Sequence, residues 1–225
     1  ANESRRAETA VPQPAYDPVV EPDSAEALPV WVLGASFGGP QALTAFLGAL
    51  TEPPPAAFIV AQHIGDDFAE VLAQQLHRVT QLNVTCAAPG MLLHPGRVYV
   101  APIRSRLAID ERGRFQLYGD HSADALYTPN IDEIMATIAA RYRQLSGAIV
   151  FSGMASDGAQ GARAIQDAGG CVWAQDEASC TVASMPETAS ATGAVTRRGP
   201  PERLASELPR HINNLIKRYR PEQTA

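Results

Sequence analysis

Cysteine is scarce in this sequence. Its 225 residues include three cysteines, at positions 86, 171 and 180. They are too few and too widely spaced for a disulfide framework or a Cys-x-x-Cys metal site. An odd number of scattered cysteines is typical of a reducing compartment, so we predict a cytoplasmic protein.

Positive charge, aromatic residues and long apolar runs are scarce as well. The net charge is -6 and aromatic residues make up 6% of the chain, which disfavours the basic, aromatic-studded surfaces that bind nucleic acid. No apolar run is long enough to span a bilayer, and no secretory signal opens the sequence. We therefore expect no nucleic-acid partner and no direct membrane insertion.

The first 28 residues differ in composition from the rest. They are polar, contain prolines at 12, 14, 18 and 22, and show no hydrophobic periodicity. Such a segment is typical of a flexible linker, and we expect one folded domain over residues 29–225. The hydrophobic content of 45% is enough to fill the core of a domain of that size.

Short apolar runs alternate with amphipathic segments along this domain. This alternation predicts an α/β fold with a doubly wound, mostly parallel sheet and helices on both faces. Glycine in the turn Glu111-Arg-Gly113 predicts one antiparallel β-hairpin. The other predicted strands cover Val30 to Leu33, Phe58 to Gln62, Val84 to Ala87, Arg97 to Ala101, Gly147 to Phe151 and Cys171 to Ala174.

The turn after the first strand carries a hydroxyl. Gly34-Ala-Ser-Phe-Gly38 fits the G-x-S-x-G pattern of a nucleophile elbow, in which a strand, a sharp turn and a helix expose a serine. Glycine-rich turns of this kind also bind phosphates, but neither G-x-x-x-x-G-K-[ST] nor G-x-G-x-x-G is complete here. A purely structural turn with an incidental Ser36 is the simplest alternative.

Three chemically useful side chains follow predicted strands: Ser36, His63 and Asp157. Ligands of doubly wound sheets bind at the carboxyl ends of the strands, so we expect the three residues to meet at one edge. A serine needs a base, and a carboxylate orients that base, which makes this set a candidate nucleophile, base and acid. Each residue also has a structural alternative, since His63 fits an exposed strand end and Asp157 fits a helix cap.

Other residues compete for these roles. Cys180 is the leading alternative nucleophile, and Asp176 and Glu177 are alternative acids. The remaining histidines, at positions 77, 94, 121 and 211, show no partner pattern, and we interpret most of them as surface residues.

Seven motifs in order resemble the catalytic domain of the chemotaxis-type protein-glutamate methylesterases, the CheB family. The resemblance covers most of residues 30–217. It rests on Gly34-Ala-Ser-Phe-Gly-Gly39, Gln62-His63, Val98-Tyr-Val-Ala-Pro102, Pro129-Asn-Ile-Asp132, Phe151-Ser-Gly-Met-Ala-Ser-Asp-Gly158, Ala174-Gln-Asp-Glu-Ala-Ser-Cys180 and Met185-Pro186.

The resemblance implies a function for these residues. The family's catalytic serine, histidine and aspartate match Ser36, His63 and Asp157, and Met154 matches an active-site methionine. Phe37 stands beside the nucleophile, where the family commonly has threonine. The implied substrate is a glutamyl γ-methyl ester on the cytoplasmic helices of a methyl-accepting chemoreceptor, and some members also deamidate glutamine. No metal or other cofactor is expected.

The same resemblance implies partners beyond the substrate. We expect an upstream receiver domain, phosphorylated by a histidine kinase, in the full-length protein. Two other functions remain open at this point. One is a catalytically weak scaffold that binds receptor helices, suggested by Phe37 and by altered loops. The other is a nucleotide-binding module that uses Gly34 to Gly39.

Overall fold

A computed structural model describes residues 28–120 and 128–219 of the chain. The predicted linker over residues 1–28 lies outside the described residues, apart from Leu28. Within the described part of the chain, no helix has both the length and the apolar character needed to cross a membrane.

The centre of the molecule is a seven-stranded parallel sheet. The strands of the chain are β1 (Val30–Ala35), β2 (Ala57–Gln62), β3 (Asn83–Cys86), β4 (Arg97–Val100), β5 (Ser105–Ile109), β6 (Phe115–Asp120), β7 (Ser146–Val150), β8 (Cys171–Gln175) and β9 (Val195–Gly199). The strands of the sheet lie in the order β3-β4-β2-β1-β7-β8-β9, and a separate antiparallel pair is formed by β5 and β6. The predicted α/β class, the doubly wound sheet and the hairpin are therefore confirmed.

Helices cover both faces of the sheet, because strands buried on both sides need apolar partners on each. The helices are α1 (Gly39–Gly48), α2 (Ala69–His77), α3 (Ile131–Tyr142), α4 (Ala159–Asp167), α5 (Ser184–Ala191) and α6 (Pro201–Tyr219). One core lies under α1, α2 and α6, and the other lies under α3, α4, α5 and the hairpin.

Two tryptophans anchor the core beneath α6. The rings of Trp31 and Trp173 are fully buried and meet edge to face, with their centroids 5.3 Å apart. His211 of α6 lies against both, at 5.6 Å from Trp31 and 5.2 Å from Trp173. The neighbouring strand supplies Gly147, where a Cβ atom would stand only 2.3 Å from the Trp31 ring.

Some boundaries differ from the predictions. Strand β9 was not predicted, because Thr196, Arg197 and Arg198 are exposed on an edge strand and show no apolar run. A 3₁₀ turn, Asp66–Phe68, separates β2 from α2, and the N-cap residue of α2 is Phe68, which has no capping side chain.

Candidate active site

Three adjacent strands carry the residues singled out from the sequence. β2, β1 and β7 are neighbours, and the order of the sheet reverses between β1 and β7, which is where doubly wound sheets form a crevice. Ser36 follows β1 and His63 follows β2, and their backbone N–H groups donate to Ser152 O and Ala35 O at 3.0 Å each. Asp157 comes from the loop after β7. The three residues therefore lie at the same edge of the sheet.

Ser36 stands at the top of a tight turn. Gly38 has a φ of 81°, a left-handed conformation that favours glycine, and it forms the N-cap of α1. The N–H of Gly39 returns to the Ser36 carbonyl at 2.9 Å. The Ser36 side chain is partly exposed, and Phe37 beside it is 62% exposed. This geometry is that of a strand-turn-helix elbow with an accessible hydroxyl.

His63 and Asp157 are joined directly. His63 Nε2 lies 2.8 Å from Asp157 Oδ2, and the Asp157 side chain is buried. Burial raises the pKa of the Asp157 carboxyl, but hydrogen bonds from His63 and from the backbone N–H groups of Ile131 and Asp132 outweigh it and hold that pKa below its usual value. An ionised carboxylate only accepts hydrogen bonds, so Nε2 of His63 carries the proton of this bond.

The Asp157 carboxylate occupies the N-terminus of α3. Its Oδ2 accepts from Ile131 N at 2.9 Å, and its Oδ1 accepts from Asp132 N at 2.9 Å. The first N–H groups of a helix have no partner within the helix and carry a partial positive charge, so they stabilise an anion there. Asp157 does accept from Gly158 N, the N-cap of its own helix α4, at 3.0 Å. Its main partners nevertheless belong to α3, which the cap interpretation did not anticipate.

Asp132 was not recognised as a site residue from the sequence. Its Oδ1 accepts from Gly158 N at 2.9 Å and from Gly161 N at 2.6 Å, both at the start of α4. Burial raises the pKa of Asp132, and the neighbouring charge of Asp157 adds to this effect, despite hydrogen bonds from the backbone of α4. The available signal was an aspartate in the first turn of a predicted helix, which is common and therefore uninformative by itself.

Gln62 was also missed as a separate contributor. Its side chain is buried, and Nε2 donates to Ser36 O at 2.8 Å and to His63 O at 3.0 Å. One amide thus bridges the backbones of the candidate nucleophile and the candidate base. The available signal was a polar residue at the end of an otherwise apolar strand.

Ser152 fastens a third loop to the site. It is buried at the end of β7, and its hydroxyl lies 2.8 Å from Phe37 O, to which it donates, while accepting from Val182 N at 3.0 Å. Its backbone N–H donates to Gln175 Oε1 at 2.8 Å.

The two residues after Ser152 lie close to the candidate nucleophile or at the surface. A Cβ on Gly153 would stand 2.9 Å from Ser36 Cβ, and Met154 after it is 60% exposed. The β7–α4 loop therefore lies against Ser36.

The competing residues are less well placed for catalysis. Burial raises the pKa of the Cys180 thiol to about 11, and Asp176 adds to the shift, so the thiol is protonated at neutral pH and is a poor nucleophile. Asp176 caps a 3₁₀ turn by accepting from Ser179 N at 3.1 Å, and Glu177 is exposed.

Two of the remaining histidines are withdrawn from the surface wholly or in part. His94 is buried, with its backbone N–H bonded to the Tyr99 hydroxyl at 3.0 Å, and His211 is half-buried and packs against both tryptophans. His121 lies outside the described residues.

The fold and the site together define an α/β domain with a serine elbow and a histidine–carboxylate pair at the switch point of its sheet. The family model described as CheB methylesterase matches residues 31–208. The chain belongs to the CheB methylesterase family, and the resemblance stated from the sequence is confirmed.

Relatives with names and a solved structure support this assignment. A protein-glutamate methylesterase/protein-glutamine glutaminase 1 of Myxococcus xanthus is 39% identical over 170 residues, which cover 75% of this chain and 49% of that protein. A protein-glutamate methylesterase/protein-glutamine glutaminase 2 of Burkholderia lata is 36% identical over 185 residues, covering 82% of this chain and 54% of that protein. The chain spans about half the length of these relatives.

The crystal structure of the Thermotoga maritima CheB methylesterase catalytic domain has the same fold. It superimposes with a TM-score of 0.77 at 28% identity and covers 82% of this chain and 98% of its own.

Proposed function

We propose that this chain is the catalytic domain of a protein-glutamate methylesterase. Its substrate would be a glutamyl γ-methyl ester on the cytoplasmic helices of a chemoreceptor. The observation that carries this proposal is the 2.8 Å hydrogen bond between His63 Nε2 and the buried Asp157 carboxylate, at the same sheet edge as the Ser36 turn. Membership of the CheB methylesterase family supports it.

The first half of the reaction is acyl transfer to Ser36. The serine Oγ attacks the ester carbonyl, while the imidazole of His63 takes the hydroxyl proton. Because Nε2 already donates to Asp157, the nitrogen that takes the proton is Nδ1. Asp157 keeps the imidazole in this tautomer and stabilises the imidazolium. The tetrahedral intermediate then expels methoxide, which leaves as methanol with the proton from His63.

The second half of the reaction releases the carboxylate. Water, deprotonated by the same imidazole, attacks the glutamyl-enzyme ester, and the Ser36 oxygen leaves with that proton. Backbone N–H groups of the strand-end turns would bind the oxyanion in both halves. Loss of one such donor typically costs about 3–4 kcal/mol in the transition state.

The same acyl chemistry extends to an amide. If the substrate is a receptor glutamine, ammonia replaces methanol as the leaving group and the glutamyl-enzyme is the same. The Myxococcus and Burkholderia relatives carry glutaminase in their names. We propose deamidation as a second activity of this site. We also propose, on the resemblance alone, that a receiver domain and its histidine kinase regulate the full-length protein.

Methanol release from a methylated receptor cytoplasmic domain tests the proposal. The parent chain is compared with Ser36→Ala, and we expect release by the parent and none above background with the variant. A matched control is Ser206→Ala, because the Ser206 hydroxyl donates to Arg203 O in an exposed hydrogen bond on α6. If neither protein releases methanol from a receptor that is shown to be methylated and bound, the esterase proposal fails and a receptor-binding scaffold is favoured.

A further inference from the structure

At this site, two aspartate carboxylates each accept hydrogen bonds from the N-terminus of the opposite helix. Asp157 precedes α4 and accepts from the first N–H groups of α3, at 2.9 Å from Ile131 N and 2.9 Å from Asp132 N. Asp132 belongs to α3 and accepts from the first N–H groups of α4, at Gly158 and Gly161. The two helix N-termini are thus joined reciprocally, in addition to the Asn130 side chain that caps α3 at Glu133 N, and Asp157 is also bonded to His63.

The segment that carries Asp157 depends on support from outside. Ala155 has a φ of 76° and Gly158 a φ of 96°, so two of its residues adopt left-handed conformations. A left-handed conformation strains a non-glycine residue and persists only where surrounding contacts enforce it. The N-cap of α4 is Gly158, which has no side chain to provide a cap. The Asp132 carboxylate instead anchors the end of this segment to α3, by accepting from Gly158 N at 2.9 Å.

Close helix packing makes that anchor possible. A Cβ on Gly161 would stand 3.0 Å from the Asp132 Cα and 2.6 Å from the Met135 Cβ, so only glycine allows α4 to approach α3 this closely. A short aspartate side chain spans the remaining gap and reaches two N–H groups at once. The longer side chain of glutamate would place its oxygens about one C–C bond further out.

We propose that Asp132 is a positioning residue, which fixes the Asp157 carboxylate and through it the imidazole of His63 by joining the first turns of α3 and α4. The inference rests on the proposed function of the site. It assigns Asp132 no contact with the substrate. What matters is the position of its oxygen, not its charge, so an isosteric amide keeps the function and a displaced carboxylate loses it.

Two variants separate position from charge. Asp132→Asn keeps an oxygen that accepts from Gly158 N and Gly161 N but removes the charge, whereas Asp132→Glu keeps the charge and displaces the oxygens. The first readout is the low-field imidazole N–H proton resonance of the His63–Asp157 bond, assigned by its loss in His63→Ala. The second is the kcat and KM of methanol release.

We expect Asp132→Asn to keep both the resonance and kcat close to those of the parent. We expect Asp132→Glu to shift or broaden the resonance and to lower kcat by about 10²-fold with KM unchanged, which is the effect of an active-site displacement of about 1 Å. Asp132→Ala should behave like Asp132→Glu.

Asp110 provides the matched control. Its Oδ1 also accepts two backbone N–H groups, from Arg112 and Arg114, at 2.9 Å each. The carbonyl of Asp110 accepts from Arg141 Nε at 3.4 Å. Arg141 follows Asp132 by nine residues on α3, which is about 14 Å along the helix axis. We expect Asp110→Asn and Asp110→Glu to leave the resonance and kcat unchanged.

The resonance does not depend on turnover, so it separates the two proposals. If the parent releases no methanol but Asp132→Glu and Asp132→Ala shift the resonance while Asp132→Asn does not, the proposed function fails and the positioning role stands. If Asp132→Glu matches the parent in resonance and kcat, or if Asp132→Asn is the impaired variant, the positioning role is overturned.

Discussion

At the scale of single residues, Gln62 links the two partners that a serine mechanism requires. Its Nε2 donates to the carbonyls of Ser36 and His63. These two residues directly follow the adjacent strands β1 and β2. Among the described residues its Oε1 has no hydrogen-bond partner, and a Cβ on Gly39 would stand 2.0 Å from that oxygen. The amide is therefore held tightly, and Gly39 is required to make room for it.

We predict that Gln62→Ala impairs catalysis more than binding. Losing both donors leaves two carbonyls without this partner and frees the Ser36 and His63 backbones to move apart. We expect kcat of methanol release to fall at least about tenfold with little change in KM, since small displacements of reacting groups are costly. Urea unfolding should show a loss of about 1–3 kcal/mol, typical for buried polar groups left unpaired.

Gln166→Ala is the control for this change. Its amide also donates to a carbonyl, that of Gly193 at 3.2 Å, but the bond is exposed. The kcat should stay close to that of the parent, and the free energy of unfolding should change by less than about 0.5 kcal/mol. Equal effects of the two substitutions would contradict the bridging role of Gln62.

The sequence was informative about single residues where chemistry and position coincide. Ser36, His63 and Asp157 each follow a strand, and the strand-end rule was enough to bring them to one edge. Gln62 reaches the backbone of Ser36, 26 positions before it, and Asp132 reaches the backbones of Gly158 and Gly161, 26 and 29 positions after it. No local pattern encodes such partners, because they depend on how the strands and helices pack.

At the scale of helices and strands, the buried strands were predictable and the edge strand β9 was not. β1, β2 and β7 are buried at every position and appear in the sequence as apolar runs. β9 has one buried residue, Gly199, and exposes two arginines, as edge strands do to prevent pairing with other chains. Its pairing with β8 follows from the sheet and not from its own composition.

The contact between β7 and β1 leads to a prediction about stability. Gly147 pairs with Trp31, and an added Cβ would overlap three atoms of the indole ring, at 2.3 to 2.7 Å. Because Trp31 is fully buried against Trp173 and His211, the ring has no free space into which to move. We expect Gly147→Ala to lower the free energy of unfolding by about 1–3 kcal/mol or more, as overpacked cores do.

Gly65→Ala is a suitable control for Gly147→Ala. Gly65 has a φ of -68°, and an added Cβ would stand an ordinary 3.4 Å from the Phe68 ring. Alanine at such a position usually changes stability by less than about 1 kcal/mol, often favourably, because it restricts the unfolded chain. If denaturant unfolding shows similar losses for both variants, the close approach of Gly147 to Trp31 is not the cause.

At the scale of the whole molecule, the dependence of stability on pH combines groups from both faces of the sheet. The lowered pKa of Asp157 contributes stability that is present above its unfolded value of about 3.9 and is lost as the pH falls below it. The raised pKa of Asp132 acts in the opposite direction. Because these two carboxyl groups are coupled, the acid limb of the stability curve belongs to the pair.

His211 acts in a separate and higher pH window. Burial lowers its pKa, and Arg197 and Arg218 lower it further. Its Nε2 is buried without a hydrogen-bond partner among the described residues, so protonation would place an unpaired donor against two tryptophans. The unfolded chain therefore binds this proton more readily than the folded chain does.

The sign of the effect follows from that difference. Above the unfolded histidine value of about 6.5, His211 is neutral in both states and contributes no pH dependence. As the pH falls below about 6.5, the unfolded state gains the proton first, so the free energy of unfolding decreases until the folded pKa is reached.

We predict that urea unfolding between about pH 7.5 and about pH 5 shows this decrease in the parent and a flatter curve in His211→Gln. The comparison concerns slopes, so a constant packing loss in the variant does not affect it. Parallel curves for the two proteins would show that His211 does not resist protonation. The pH dependence of the free energy of unfolding would then have to come from other groups.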